Sequence, residues 1–138
     1  MKHVVDLAWK TNMAFETEVD GHTLRLDTAA DSGGDDSGPR PKKLMLAALA
    51  GCTAMDVITI LRKMKIEPEE FHVIVEGDVA EEHPKKYLSM HMIYQFKGQE
   101  LPLDKIEKAI NLSQEKYCGV SAVYRDAVQL TSEIRIVK

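Results

Sequence analysis

Two side chains in this sequence could carry redox chemistry, its two cysteines, Cys52 and Cys118. A thiol reacts as the thiolate, so its reactivity depends on whatever lowers its pKa: a helix N-terminus, a cation or a metal. Cys52 lies near the middle of "PKKLMLAALAGCTAMDVITILRKMK", residues 41–65, the most apolar stretch of the chain. That stretch predicts one long helix, with Pro41 in its first turn, where a missing N–H costs nothing. The helix itself gives the thiol no N-terminal help, because Lys42 stands roughly 15 Å away along the axis. Asp56 follows one turn later on the same face and, when ionised, opposes a thiolate on Cys52. A cation that activates Cys52 must therefore come from elsewhere in the fold or from a second subunit; Lys10, Arg25, Arg40 and Arg125 are the candidates.

Cys118 precedes Gly119 at an expected helix end. A helix C-terminus disfavours a thiolate and suits a resolving thiol better than an attacking one. If Cys118 instead opens the next short helix, that argument reverses. The residues alone allow a two-cysteine redox pair and equally allow two small buried hydrophobes, the commoner fate of a free cysteine. By spacing, the cysteines form neither a metal-ligand cluster nor a disulfide framework, and no metal or cofactor is expected. His3, His22, His72, His83 and His91 are dispersed along the chain, and there is no phosphate-binding loop, G-x-S-x-G elbow or HExxH motif.

The elements that must position these thiols follow from length and patterning. With 138 residues, 44% apolar and 29% charged, and a net charge of −4, the chain predicts one soluble globular domain over residues 1–138. A mildly acidic chain has no electrostatic reason to seek nucleic acid or an anionic membrane. The amino terminus "MKHVVDLAWK" lacks a signal-peptide pattern, so the cytoplasm is the default location. A membrane reading of residues 44–61 fails on composition. The run is rich in alanine, glycine and threonine, and Asp56 at its centre would cost about 2.5–3.5 kcal/mol on insertion.

Before the helix, "HVVDLAWK", "MAFETEVD" and "TLRLDT" read as three strands, the last two joined at Asp20-Gly21, a strong hairpin signal. Residues 29–40, "AADSGGDDSGPR", predict a mobile loop. After the helix, "FHVIVEGDVA" and "YLSMHMIYQF" alternate with period two and predict an antiparallel pair across "EEHPKK". "LPLDKIEKAINLSQEKYC" reads as an amphipathic helix stopped by Gly119, followed by a short helix around "SAVYRDA" and a last strand, "VQLTSEIRIV". The order βββ-α-ββ-α-β indicates an α+β domain. A central helix apolar on every face needs more cover than two helices and six strands provide, which predicts a homodimer with Cys52 near the interface.

Taken together, "KLMLAALAGCTAMDVITILRKM" and "EKYCGVSAVYR" resemble the OsmC/Ohr family of hydroperoxide-resistance proteins, and "GCTAMDV" falls nearest its OsmC-like branch. The resemblance covers essentially the whole chain. It implies an OsmC-like fold in which antiparallel sheets wrap central helices in an intertwined homodimer. It also implies a thiol peroxidase of the oxidative stress response. Cys52 would attack an organic hydroperoxide or hydrogen peroxide, Cys118 would resolve it as a disulfide, and an external thiol or lipoyl-type dithiol would reduce the pair. The peroxidase branch also carries a glutamate ten residues before its attacking cysteine and an arginine late in its first hairpin. Here Lys42 stands in place of the glutamate, and Lys10 and Asn12 are nearest the arginine position. The rival from another class is a non-catalytic dimer that holds a hydrophobic small molecule at its interface.

Overall fold

A computed structural model describes residues 1–138, which fold as two compact units, Met1–Met45 and Leu46–Lys138. The amino-terminal unit is built on a three-stranded sheet of β1 (Ala8–Thr11), β2 (Ala14–Val19) and β3 (His22–Leu26), in that order and antiparallel. Val19 pairs with His22, leaving a two-residue loop in which Asp20 and Gly21 both take positive φ, 52° and 80°. That is the mirror-image turn whose twist matches right-twisted strands, as the Asp-Gly pair predicts. The first strand is shorter than the apolar run suggests. It starts at Ala8, not His3, and its four residues are exposed, so alternation there has no buried face to fix it.

The glycine- and aspartate-rich segment after β3 is a loop, as expected, with one short 3-10 turn at Ala30–Ser32. Buried Asp27 organises it: its carboxylate accepts hydrogen bonds from the Ser37 hydroxyl (2.6 Å) and from the amides of Thr28 (2.7 Å), Ser37 (3.1 Å) and Asp35 (3.3 Å). These donors, the Ser37 hydroxyl foremost, hold the carboxyl at a pKa of about 2.

In the carboxyl-terminal unit, α1 (Leu44–Lys63) precedes β4 (Glu70–Val79) and β5 (Tyr87–Lys97). Then come α2 (Leu103–Leu112), a π turn (Ser113–Tyr117), α3 (Gly119–Tyr124) and β6 (Gln129–Val137). The sheet order is β4-β5-β6. β4 and β5 are antiparallel, as their alternation predicts, but β5 and β6 run parallel, correcting the expectation of purely antiparallel sheets. The reason is the connection: α2, the π turn and α3 carry the chain back along the sheet, and such a crossover delivers a parallel strand. β5 is therefore central, and Met90, Met92, Tyr94 and Phe96 from it join Leu49, Val57 and Leu61 of α1 and Ile106, Ala109 and Ile110 of α2 in one core.

By length and composition α1 could cross a membrane. In this fold its row Leu49–Thr53–Val57–Leu61 is buried, whereas Met45 and Met55 are exposed, Met55 at 74%. The central helix thus buries one stripe within its own chain, not its whole circumference.

Candidate active site

The fold brings together what the sequence keeps far apart. Cys52 and Asp56, four residues apart on α1, share a face next to its buried row. Cys118 reaches them from the junction of the π turn and α3. The two sulfurs and an Asp56 carboxylate oxygen all lie within 4.8 Å of one another. Both thiols are free; Cys52 is half-buried and Cys118 is 3% exposed.

Cys118 owes its position to a change of helical phase. Apolar periodicity predicts one continuous helix to Cys118, but α2 ends at Leu112 and the chain widens into the π turn. The Cys118 amide then bonds the Ser113 carbonyl five residues back, at 2.7 Å. Cys118 itself is extended (φ −76°, ψ 101°) and caps α3, its sulfur accepting from the Ser121 amide at 3.3 Å. Gly119 is thus the first residue of a helix and not a stop, and Cys118 opens a helix instead of closing one. Arg125 braces this corner, donating to the Gln114 carbonyl at 2.6 Å and to the Ser121 carbonyl at 3.4 Å.

Beneath the sulfurs runs a chain of buried hydroxyls. Ser113 Oγ donates to Asp56 Oδ2 at 2.9 Å, lies 2.8 Å from Thr53 Oγ1, and Thr53 Oγ1 lies 2.7 Å from the Tyr94 hydroxyl, to which Gln114 Nε2 donates at 3.0 Å. A carboxylate only accepts, which fixes the direction of every link. Ser113 gives its proton to Asp56, which leaves Thr53 to donate to Ser113 and the Tyr94 phenol to share its proton between Thr53 Oγ1 and, at 3.6 Å, Met92 Sδ. Burial pushes the Tyr94 phenol up, which keeps it a donor. The whole row is polarised toward Asp56. None of these partners was singled out in the sequence. The available signal was Thr53, a hydroxyl on the buried row of an apolar helix, which must find a partner.

The electrostatics overturn one expectation. The Cys52 thiol is pushed up, not down. Burial is the largest cause; the Val120 amide opposes it, while neighbouring Cys118 and Asp56 add to it. The effect of Asp56 has the sign expected, and no cation acts on the sulfur. The basic candidates are occupied: Arg25 pairs with Glu16 and bonds Ser37, Arg40 pairs with Asp36, and Arg125 holds the two carbonyls above. Lys10 lines a hollow of about 470 Å³ on the amino-terminal unit, among Asp6, Glu16 and Glu18 and without a thiol.

Asp56 also lines a cavity of about 380 Å³ whose other walls are Thr59, Ile60, Lys63, Leu112 and Tyr117. Of the three clustered groups, Asp56 is the one that lines this hollow.

The sequence profile of the OsmC-like protein family matches residues 34–133, a span that includes both cysteines. The chain belongs to the OsmC-like family. This OsmC-like protein is 30% identical to protein YhfA of Escherichia coli K12 over 130 residues, 94% of each chain. A crystal structure from Aquifex aeolicus VF5 matches it over 100% of both chains with a TM-score of 0.82 and 26% identity. An organic hydroperoxide resistance protein OsmC from Legionella pneumophila shares the fold at a TM-score of 0.61 and 20% identity, over 93% of this chain and 98% of that one. The OsmC-like fold anticipated from the two cysteine motifs is therefore present.

Proposed function

We propose that this OsmC-like protein is a two-cysteine thiol peroxidase that reduces organic hydroperoxides or hydrogen peroxide in the cytoplasm. The observation that carries this reading is the reduced pair of sulfurs within 4.8 Å of each other, in a family with hydroperoxide-resistance members of the same fold. Cys118 caps α3, which removes the helix C-terminus that would mark it as the resolving thiol; accessibility assigns the attack to Cys52, half-buried where Cys118 is 3% exposed. Its thiolate takes the terminal peroxide oxygen, giving Cys52 sulfenic acid and, after protonation, an alcohol or water. Cys118 then attacks the sulfenic sulfur, water leaves, and a Cys52–Cys118 disulfide forms. An external dithiol reductant restores both thiols and leaves as its own disulfide. The 380 Å³ cavity beside Asp56, walled by Ile60, Leu112 and Tyr117, suits the organic part of a hydroperoxide. Its apolar walls also favour the second reading, a dimer that binds a hydrophobic molecule without turning it over.

The exposed face of α1 supports a homodimer. Ala47, Ala48, Met45 and Met55 are exposed, and a side chain added at Gly51 would meet nothing within 4 Å. A second copy supplies the missing cover for such a face.

The deciding assay is peroxide consumption by purified protein with dithiothreitol or dihydrolipoamide, alongside Cys52→Ser and Cys118→Ser. One equivalent of an organic hydroperoxide should remove two hydrogens from the intact mass of the wild type. Cys118→Ser should accumulate over-oxidised Cys52, and Cys52→Ser should leave Cys118 reduced. Wild type that stays reduced would leave the binding reading in possession.

A further inference from the structure

Three donor atoms of the kinds that hold zinc converge at the α1–α3 corner: Cys52 Sγ, Cys118 Sγ and an Asp56 carboxylate oxygen. Mutual distances of at most 4.8 Å mean that a point exists no more than about 2.8 Å (4.8/√3) from all three, against Zn–S of about 2.3 Å and Zn–O of about 2.0–2.2 Å. The contraction required is at most about 0.5 Å for each sulfur and about 0.6–0.8 Å for the oxygen. Two ligands come from one turn of a helix at i and i+4, a spacing that presents both to one ion. The third comes from an extended residue whose backbone is fixed on both sides, by the Ser113 carbonyl and by the first turn of α3.

The surroundings are those of a built site. Metal-binding carboxylates and thiolates are held in place by outer hydrogen bonds. Here Ser113 donates to one Asp56 oxygen and is itself backed by Thr53 and Tyr94. The Ser121 amide reaches the Cys118 sulfur at 3.3 Å. The Ser121 hydroxyl, 1% exposed and without a hydrogen-bond partner, is a buried polar group in the same turn that the protein fold leaves unsatisfied. Asp56 also faces the 380 Å³ cavity, which leaves room for a water or an incoming ligand on that side.

We infer that Cys52, Cys118 and Asp56 form a three-ligand site for Zn²⁺, with its fourth position open. Thiolate donors select borderline-soft d¹⁰ ions over magnesium or calcium, and three protein ligands with one open position is the arrangement of non-structural zinc sites. Binding to the reduced protein displaces the two thiol protons to solvent and changes no oxidation state. The same sulfurs cannot serve zinc and a disulfide at once, so the ion and the oxidised state exclude each other. The site does not depend on the peroxidase reading, since a non-catalytic binding protein would offer the same three donors.

The test uses reduced, chelator-treated protein titrated with Co²⁺ as a spectroscopic probe and with Zn²⁺ against a chromophoric chelator. One ion per chain is expected, with a thiolate-to-cobalt charge-transfer band in the near ultraviolet. Asp56→Asn should weaken binding and keep that band. Ser113→Ala should weaken it by about 10–100-fold, the usual effect of an outer-shell partner. Cys52→Ser and Cys118→Ser should each cost more than that and diminish the band. No charge-transfer band in the wild type, or Zn²⁺ affinity unchanged in both cysteine variants, overturns the inference. Should a variant fail to fold by circular dichroism, the wild type alone decides. One equivalent of Zn²⁺ must shield both thiols from iodoacetamide and release about two protons; thiols that stay reactive exclude the site.

Discussion

Burial above all, with smaller contributions from Cys118 and Asp56, pushes the Cys52 thiol up, and this sets how it should respond to pH. Iodoacetamide labelling of Cys52, followed by peptide mass spectrometry, should rise with a midpoint above the free-thiol value of about 8.5. Asp56→Asn keeps an oxygen for Ser113 and removes one opposing charge, so its labelling curve should move to lower pH. A curve that does not move would show that the carboxylate has no hold on the sulfur. The same sign of effect was readable in the sequence, because i and i+4 on a helix are neighbours wherever the helix goes. The larger contributions were not, since burial and Cys118 depend on a contact between distant parts of the chain. Asp27 gives the complementary case. Its folded pKa of about 2 lies below the ordinary 3.8, so its contribution to stability is complete above pH 4 and disappears as pH falls through 2. Urea midpoints of wild type and Asp27→Asn should therefore differ at neutral pH and converge toward pH 2. Nothing in "AADSGGDDSGPR" marked Asp27 as the anchor, because glycine and aspartate content reports turn propensity and not which carboxylate collects the amides.

Among the elements, the strands and α1 were legible because their patterns are local: alternation in β2, β4 and β5, the Asp-Gly turn, and a long apolar run. The parallel β5–β6 pair was not. Pairing direction follows from the length and course of the connection, and two helices between the strands already pointed to a crossover. The end of α2 was misjudged for a related reason. Apolar periodicity tracks which residues face the core, and Ser113 faces it too, so the pattern runs smoothly through the place where hydrogen bonding changes. The polar row joining α1, β5 and the π turn is open to direct test. Tyr94→Phe deletes a fully buried hydroxyl, takes a donor from Thr53 and leaves Gln114 Nε2 without its acceptor. A cost of about 1–3 kcal/mol in chemical denaturation is expected. The link from Thr53 through Ser113 to Asp56 survives, so Cys52 labelling should change little. A neutral Tyr94→Phe would mean that the Tyr94 end of the row contributes nothing to stability.

At the scale of the whole molecule, the half-exposed central helix makes assembly a stability question. Sedimentation equilibrium at micromolar concentration should give twice the monomer mass of 15.5 kDa, and Met55, 74% exposed on the single chain, should resist oxidation to the sulfoxide when the second copy covers it. A folded monomer with freely oxidised Met55 would refute the dimer. Within one chain, a single surplus residue decides whether the two thiols can meet at all. A π turn is an α-helix with one amino acid inserted, and each residue of helix turns the chain by about 100°. Deleting exposed Glu115 should let Ser113–Tyr117 relax into ordinary helix at little cost to the far-ultraviolet spectrum. Cys118 would then point about a quarter-turn away from Cys52, and oxidant should no longer join them. An insertion or deletion of one codon at this spot is therefore an on–off mutation for dithiol chemistry that leaves both cysteines in the gene.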